Sequence, residues 1–217
     1  MKYKLTDVKI NFMGKTLFQI EAVKCFGDIV KGQKGGFIEK ESNLSQGGNA
    51  WVCGDAKVCG DAKVYGNAWV YGNAWVCGDA KVYGDAKVYG NAWVCGDAKV
   101  YGNAWVCGDA KVYGNAWVCG DAKVYGDAKV YGNAWVCGDA KVYGNADYLV
   151  IGPIGSRNDI TTFFKTANND IKVSCGCFTG NIEEFLEKVN ETHGNNNYAK
   201  EYKTAVEIAK IHIFGGE

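Results

Sequence analysis

Residues 60–77 read GDAKVYGNAWVYGNAWVC, three copies of one hexad, and this stretch decides the fold. The same unit, Gly-(Asn/Asp)-Ala-(Trp/Lys)-Val-(Cys/Tyr), runs for seventeen consecutive copies from Gly48 to Leu149, and only Gly144–Leu149 departs from it. Alanine and valine sit two residues apart with Trp or Lys between them. In an extended chain successive side chains point to opposite faces, so Ala and Val share the inside and Trp or Lys the outside. Gly followed by Asn or Asp turns the corner, because these residues accept positive φ at low cost. A helix is excluded by the glycine at every sixth position, each costing about 1 kcal/mol in a helix interior. The short, unbroken period predicts a coil whose turns stack on one another.

The pattern resembles the hexapeptide-repeat, left-handed parallel β-helix family, in which an aliphatic residue is followed four positions later by a small one. Val52 with Ala56 fits, and so does each later pair through Val142 and Ala146. The resemblance implies an all-β solenoid, a left-handed parallel β-helix with three hexads per triangular coil and five to six coils in all. Such a stack is roughly 27 Å tall at about 4.8 Å per coil. Residues eighteen apart then lie over one another. Trp51 sits beneath Trp69, Trp75 beneath Trp93, and Trp117 beneath Trp135, while Lys63, Lys81 and Lys99 share the third face beside Asp61, Asp79 and Asp97. With Trp105 these seven tryptophans are the candidate surface interaction sites, since contiguous exposed apolar area marks an interface. The simpler expectation is that stacked rings stabilise one another.

Two flanking segments complete the chain. In residues 1–47, Val8, Ile10 and Phe12 alternate, Met13-Gly14 can turn, and Phe18, Ile20 and Ala22 alternate again, which predicts a hairpin. Ile38 and Leu44 fall in six-residue phase with Ala50, so degenerate first coils are expected near Gly36, before the regular helix of 48–147. The stretch KTLFQIEAVKCFGDIVKGQKGGFIEKESNLSQ is similar to the lead-in of bacterial and phage hexapeptide proteins labelled transferases or polymer-forming proteins. A fold does not fix a function.

Residues 148–217 are expected to form a small C-terminal α+β module. Tyr148–Ile151 reads as a strand, and Ile160–Phe164 with Ile171–Ser174 as a hairpin. Asn181 with Glu184 forms a capping box for a helix that buries Ile182, Phe185, Leu186 and Val189 and stops before Gly194. A second helix is expected from about Tyr198 to Ile211, with Tyr198, Tyr202, Ala205 and Ile208 on its packed side. The module's first expected role is to cover the open end of the stack.

The 24 basic and 24 acidic residues balance, and no segment concentrates positive charge, which argues against nucleic acid as a partner. No apolar run spans a bilayer and no signal-peptide core is present, so a soluble, cytoplasmic protein with reduced thiols is expected. Seven of the ten cysteines share one hexad position with tyrosine, which asks for a moderately apolar side chain and not for a crosslink. Hexapeptide acyltransferases use a histidine base near the coils; here the only histidines, His193 and His212, lie outside the repeat. No catalytic residue, cofactor or metal is therefore expected. Ranks of threonine for ice and glycine-aspartate nonapeptides for calcium are both missing from the hexads.

One loop carries chemistry of its own. Gly152–Asn158 holds the chain's only Pro and only Arg, and Gly155, Ser156, Arg157 and Asn158 could cradle an anion. The plain alternative is a linker whose Arg pairs with a nearby Glu. Cys175-Gly176-Cys177 with His193 would supply three metal ligands, but C-x-C is not a usual zinc spacing. The leading expectation is a non-catalytic scaffold that self-associates or binds a protein partner through its aromatic faces and end module. Binding of a small, nucleotide-like anion, in a protein of phage kind, is the alternative; acyl transfer comes third.

Overall fold

The computed structural model describes residues 1–215; residues 216 and 217, the end of the expected C-terminal module, lie outside the described residues. Sixteen two-residue strands, from Trp51–Val52 to Lys141–Val142, wind through the repeat. They stack in parallel into three sheets, each strand pairing with the one eighteen residues on, as Val52 with Val70 and Val100 with Val118. Three hexads make one coil. The hexad glycines from Gly48 to Gly138 all have φ between +64° and +71°, the left-handed region a non-glycine residue enters at a cost. Gly144 returns to φ −151°, and a 3-10 turn over Asn145–Asp147 ends the coils.

Every repeat alanine and valine from Ala50 to Val142 is at most 1% exposed, each valine contributing about 1.5–3 kcal/mol by burial. The Asn/Asp position has a second use beyond turning the corner. Asn67 Nδ2 donates to Asp85 Oδ1 of the next coil at 3.0 Å, and Asn91 and Asn103 do the same to Asp109 and Asp121. An amide beneath a carboxylate relieves the repulsion that stacked aspartates would suffer.

The N-terminal hairpin pairs β1 (Tyr3–Phe12) with β2 (Lys15–Ala22), and β2 lies antiparallel to β3 (Lys34–Ile38). β3 is the first rung of the stack, bonded in parallel to Lys57–Val58. Here one expectation needs correction. Ile38 stacks on Val58 and Leu44 on Val64, so both occupy the valine row, not the alanine row of Ala50. Leu44 and Val52 are eight residues apart, and the two extra residues make the lead-in coil wider than the rest.

Polar side chains close this end. Asn43 Nδ2 donates to the carbonyls of Gly60 at 3.0 Å and Ala62 at 2.9 Å. The buried Lys2 ammonium donates to the Ala50 carbonyl at 2.7 Å and to those of Gly47 and Gly48 at 3.3 Å, over the face of Phe26. Burial pulls its pKa down to about 8. Lys2→Met keeps the bulk and strips three carbonyls of their donor, and is expected to cost about 2–3 kcal/mol; a thermal melt within 1 °C of wild type would show that water replaces the ammonium there.

The C-terminal module is a four-stranded antiparallel sheet, β4 (Tyr148–Ile154), β5 (Asp159–Lys165), β6 (Ile171–Cys175) and β7 (Phe178–Asn181), with α1 (Ile182–His193) and α2 (Asn197–Phe214) on one face. The other face lies on the last coil. Thr162 Oγ1 accepts from the Trp135 N–H at 3.2 Å, Lys172 pairs with Asp139 at 2.7 Å, and the Tyr148 hydroxyl donates to the Lys129 carbonyl. β7 was not expected from sequence. α1 begins at the expected Asn181–Glu184 box and buries Phe185 and Val189, with Ile182 and Leu186 half-buried. α2 is rolled relative to expectation: Tyr202 and Ala205 are buried with Ala199, Val206, Ala209 and Ile213, whereas Tyr198 and Ile208 are exposed. Three alanines let this helix lie close to the sheet. No helix among the described residues is long and apolar enough to cross a membrane.

Candidate functional site

The turn between β4 and β5, Gly155-Ser156-Arg157-Asn158, is closed by the Asn158 N–H donating to the Gly155 carbonyl at 3.1 Å. α2 clamps it from behind. Glu201 Oε2 accepts from the Gly155 N–H at 2.7 Å, and a methyl added to Gly155 would fall 1.9 Å from the Tyr202 hydroxyl. Only glycine lets the turn lie against that ring. Ser156, Arg157 and Asn158 are exposed at its tip.

A second turn stands beside the first. Cys175 pairs with Phe178 across Gly176-Cys177, and Gly176, at φ +59°, lies so close to Arg157 that a methyl there would be 3.1 Å from the guanidinium. Between the two turns, α1 and α2 opens a cavity of about 390 Å³, a size usual for small-molecule sites. Phe178, Phe185, Val189 and Tyr202 form its apolar wall, and Arg157, Lys188, His193 and Asp159 its polar rim. Phe185 meets Phe178 and Tyr202 at 5.5 Å between ring centres, and His193 stacks on Tyr202 at 5.9 Å. Burial, and then the neighbouring Cys175, push the Tyr202 phenol up to about 12. It stays protonated at neutral pH.

The Arg–Glu pair of the linker alternative is not formed. Glu201 is engaged by Gly155, Asp159 Oδ1 accepts from the Ile160 N–H at 2.7 Å, and Arg157 makes no ion pair among the described residues. Lys188 pairs with Glu191 at 2.9 Å on the exposed side of α1. Cys175, Cys177 and His193 do line the same cavity. Among the described residues, however, no group of three His, Cys, Asp or Glu side chains is placed to hold a metal ion. Cys175 Sγ instead accepts from Thr161 Oγ1 at 3.3 Å and lies 3.9 Å from the Tyr202 hydroxyl.

The aromatic faces require a correction. Trp51 is fully buried and Trp75 is 8% exposed, so neither is available to a partner. The lead-in covers them: Tyr3 and Phe26 pack edge-on against Trp51, and Phe12, at the hairpin tip, against Trp75. Trp93 is 40% exposed, and Trp69, Trp105, Trp117 and Trp135 are half-buried. Lysines from adjacent coils lie over several of these rings: Lys99 over Trp117 at 4.1 Å, Lys111 over Trp93 at 4.7 Å, and Lys87 and Lys123 over Trp105. Mixing Trp and Lys along one face thus satisfies both through cation–π contact.

Sequence reasoning treated Arg157 and the Cys175–His193 group as separate candidates and passed over Lys188. A usable signal was the spacing of Phe185, Lys188 and Thr192 on α1, which puts all three on one helix face. His212 lies outside the repeat, as expected, on α2, with its Nε2 3.3 Å from the Asn145 carbonyl where the coils end.

The fold defines a β-solenoid repeat protein. A family model described as the YdcK beta-solenoid repeat matches residues 62–78, just short of one coil. No curated protein matched the chain at the significance required.

Proposed function

We propose that this chain is a non-catalytic, cytoplasmic β-solenoid of the hexapeptide-repeat kind whose end module binds a small anion carrying a flat ring, of the nucleotide class. The coils serve as a rigid mount for that module. The observation that supports this reading is an unpaired guanidinium at the mouth of an aromatic cavity. Arg157 offers a planar fork to phosphate or carboxylate, and the neighbouring, half-buried Phe178 offers a ring for stacking. Acyl transfer has less support, because His193 stacks on Tyr202 and His212 lies at a backbone carbonyl. The resemblance of the lead-in to bacterial and phage hexapeptide proteins is compatible with a protein that sequesters such a ligand.

The test is a thermal melt with adenosine monophosphate and, separately, inorganic phosphate. At a hundredfold excess over Kd the nucleotide is expected to add about 2.7 kcal/mol, several degrees of melting temperature. Arg157→Ala, at an exposed turn tip, is expected to melt like wild type without ligand and to lose the nucleotide-induced rise. No shift of the wild-type protein with either anion would overturn the reading. A second reading, self-association through the outer faces, draws on Trp93, Tyr131 and Tyr143, exposed by 40%, 52% and 52%. Light scattering that shows a monomer at every concentration would remove it.

A further inference from the structure

The eighteen-residue register stacks the cysteine position as strictly as it stacks the core. Cys119 lies directly beneath Cys137, because Trp117 pairs with Trp135 and the Cys119 N–H donates to the Val136 carbonyl at 3.0 Å. Cys59, Cys77 and Cys95 stack in the same way as a column of three, through Lys57, Trp75 and Trp93. Neighbouring rungs about 4.8 Å apart fall inside the Cα separation that a disulfide spans. All ten cysteines are free.

The pair and the column of three differ in what surrounds them. The Trp135 indole N–H donates to Cys119 Sγ at 3.4 Å. An indole donor aimed at a sulfur stabilises its thiolate, and the Cys119 thiol is held below its ordinary value, foremost by the neighbouring Cys137, then by Tyr101 and Trp135. Cys137 is pushed the other way by the same contact and by burial. The Cys95 thiol is also held low, foremost by Cys77 and then by the Lys111 charge, but no indole N–H donates to it among the described residues. Cys107, between Tyr89 and Tyr125, and Cys53, beneath Tyr71, have no stacked thiol partner.

We propose that Cys119 and Cys137 form a hydroperoxide-reactive dithiol, with Cys119 as the nucleophile and Cys137 as the resolving thiol. The Cys119 thiolate attacks one oxygen of hydrogen peroxide, the O–O bond breaks, and the departing hydroxide takes a proton to leave as water. Sulfur has then lost two electrons and stands as the sulfenic acid. The Cys137 sulfur attacks it from the next coil, the S–O bond breaks, and the hydroxyl leaves with the Cys137 proton as a second water. The product is one disulfide clasping the last two coils; two thiols and one peroxide have become one disulfide and two waters.

The experiment uses the full chain treated with limiting hydrogen peroxide, followed by iodoacetamide under denaturing conditions and tryptic peptide mapping. Trypsin cuts at Lys123 and Lys129, between the two cysteines, so their link joins separate peptides. The Cys119–Cys137 peptide is expected as the first and dominant product, with links within the Cys59, Cys77 and Cys95 column following more slowly and Cys53 and Cys107 still alkylated. Cys137→Ser is expected to stop at a dimedone-reactive Cys119. Trp135→Phe, which keeps a ring on the face and removes the donor, is expected to slow the crosslink at least several-fold at neutral pH. The proposal is overturned if Cys53 or Cys107 is oxidised as fast as Cys119, or if Cys119 stays a free thiol throughout.

Discussion

Gly78→Ala is expected to destabilise the protein by about 3–4 kcal/mol and Gly138→Ala by only about 1–2 kcal/mol. The two glycines share φ +66°, so the left-handed strain of an added Cβ is the same at both. The gain from a stiffer unfolded chain is also the same and cancels in the comparison. What differs is the neighbouring coil. A methyl on Gly78 would sit 2.9 Å from the Gly96 nitrogen and 3.1 Å from its oxygen, both backbone atoms that cannot rotate away, whereas Gly138 has nothing within 4 Å. The excess at Gly78 therefore measures how closely adjacent coils approach at their corners. Equal losses in urea unfolding of the two variants would show that corner spacing is looser than the structure has it.

Phe163→Ala and Phe164→Ala are each expected to cost about 3–5 kcal/mol, but in different parts of the molecule. Both rings are fully buried. Adjacent on β5, they point to opposite faces: Phe164 enters the apolar cluster that continues the solenoid core, and Phe163 enters the cluster under α1 and α2. Hydrogen exchange separates the two effects, since local stability is not uniform along a chain. Phe163→Ala should lower protection in α1 and α2 and leave the coils unchanged. Phe164→Ala should lower it across the sheet and the final rungs, Trp135–Val136 and Lys141–Val142. Identical protection maps for the two variants would mean that module and coils unfold as one unit.

The coils were legible because one constraint repeats. A glycine corner, an inward Ala-Val pair and an outward long side chain admit a single way of stacking once Val52 finds Val70. The capping box at Asn181 was legible for the same local reason. Elsewhere the deciding contacts cross long sequence distances. Nothing near Trp51 or Trp75 announces that Tyr3, Phe26 and Phe12 will cover them, and alternation of Val8, Ile10 and Phe12 does not say which surface the hairpin meets. Cys175-Gly176-Cys177 drew attention to metal chemistry when its glycine was marking the tight turn into β7. The cavity was the least legible feature: Arg157, Phe178, Lys188 and Tyr202 come from four elements, and only the folded module brings them together.

The eighteen-residue coil also works as a gear. The hairpin at one end and the cavity at the other are each bolted to a particular face of a three-sided shaft, β3 to Lys57–Val58 and the end sheet to the faces of Trp135 and Lys141. Splicing in three hexads would lengthen the shaft by one rung and leave the two ends facing as before. Splicing in a single hexad would swing the cavity round by a third of a revolution. The hexad number modulo three thus sets the bearing of the end module, independently of any side chain in it.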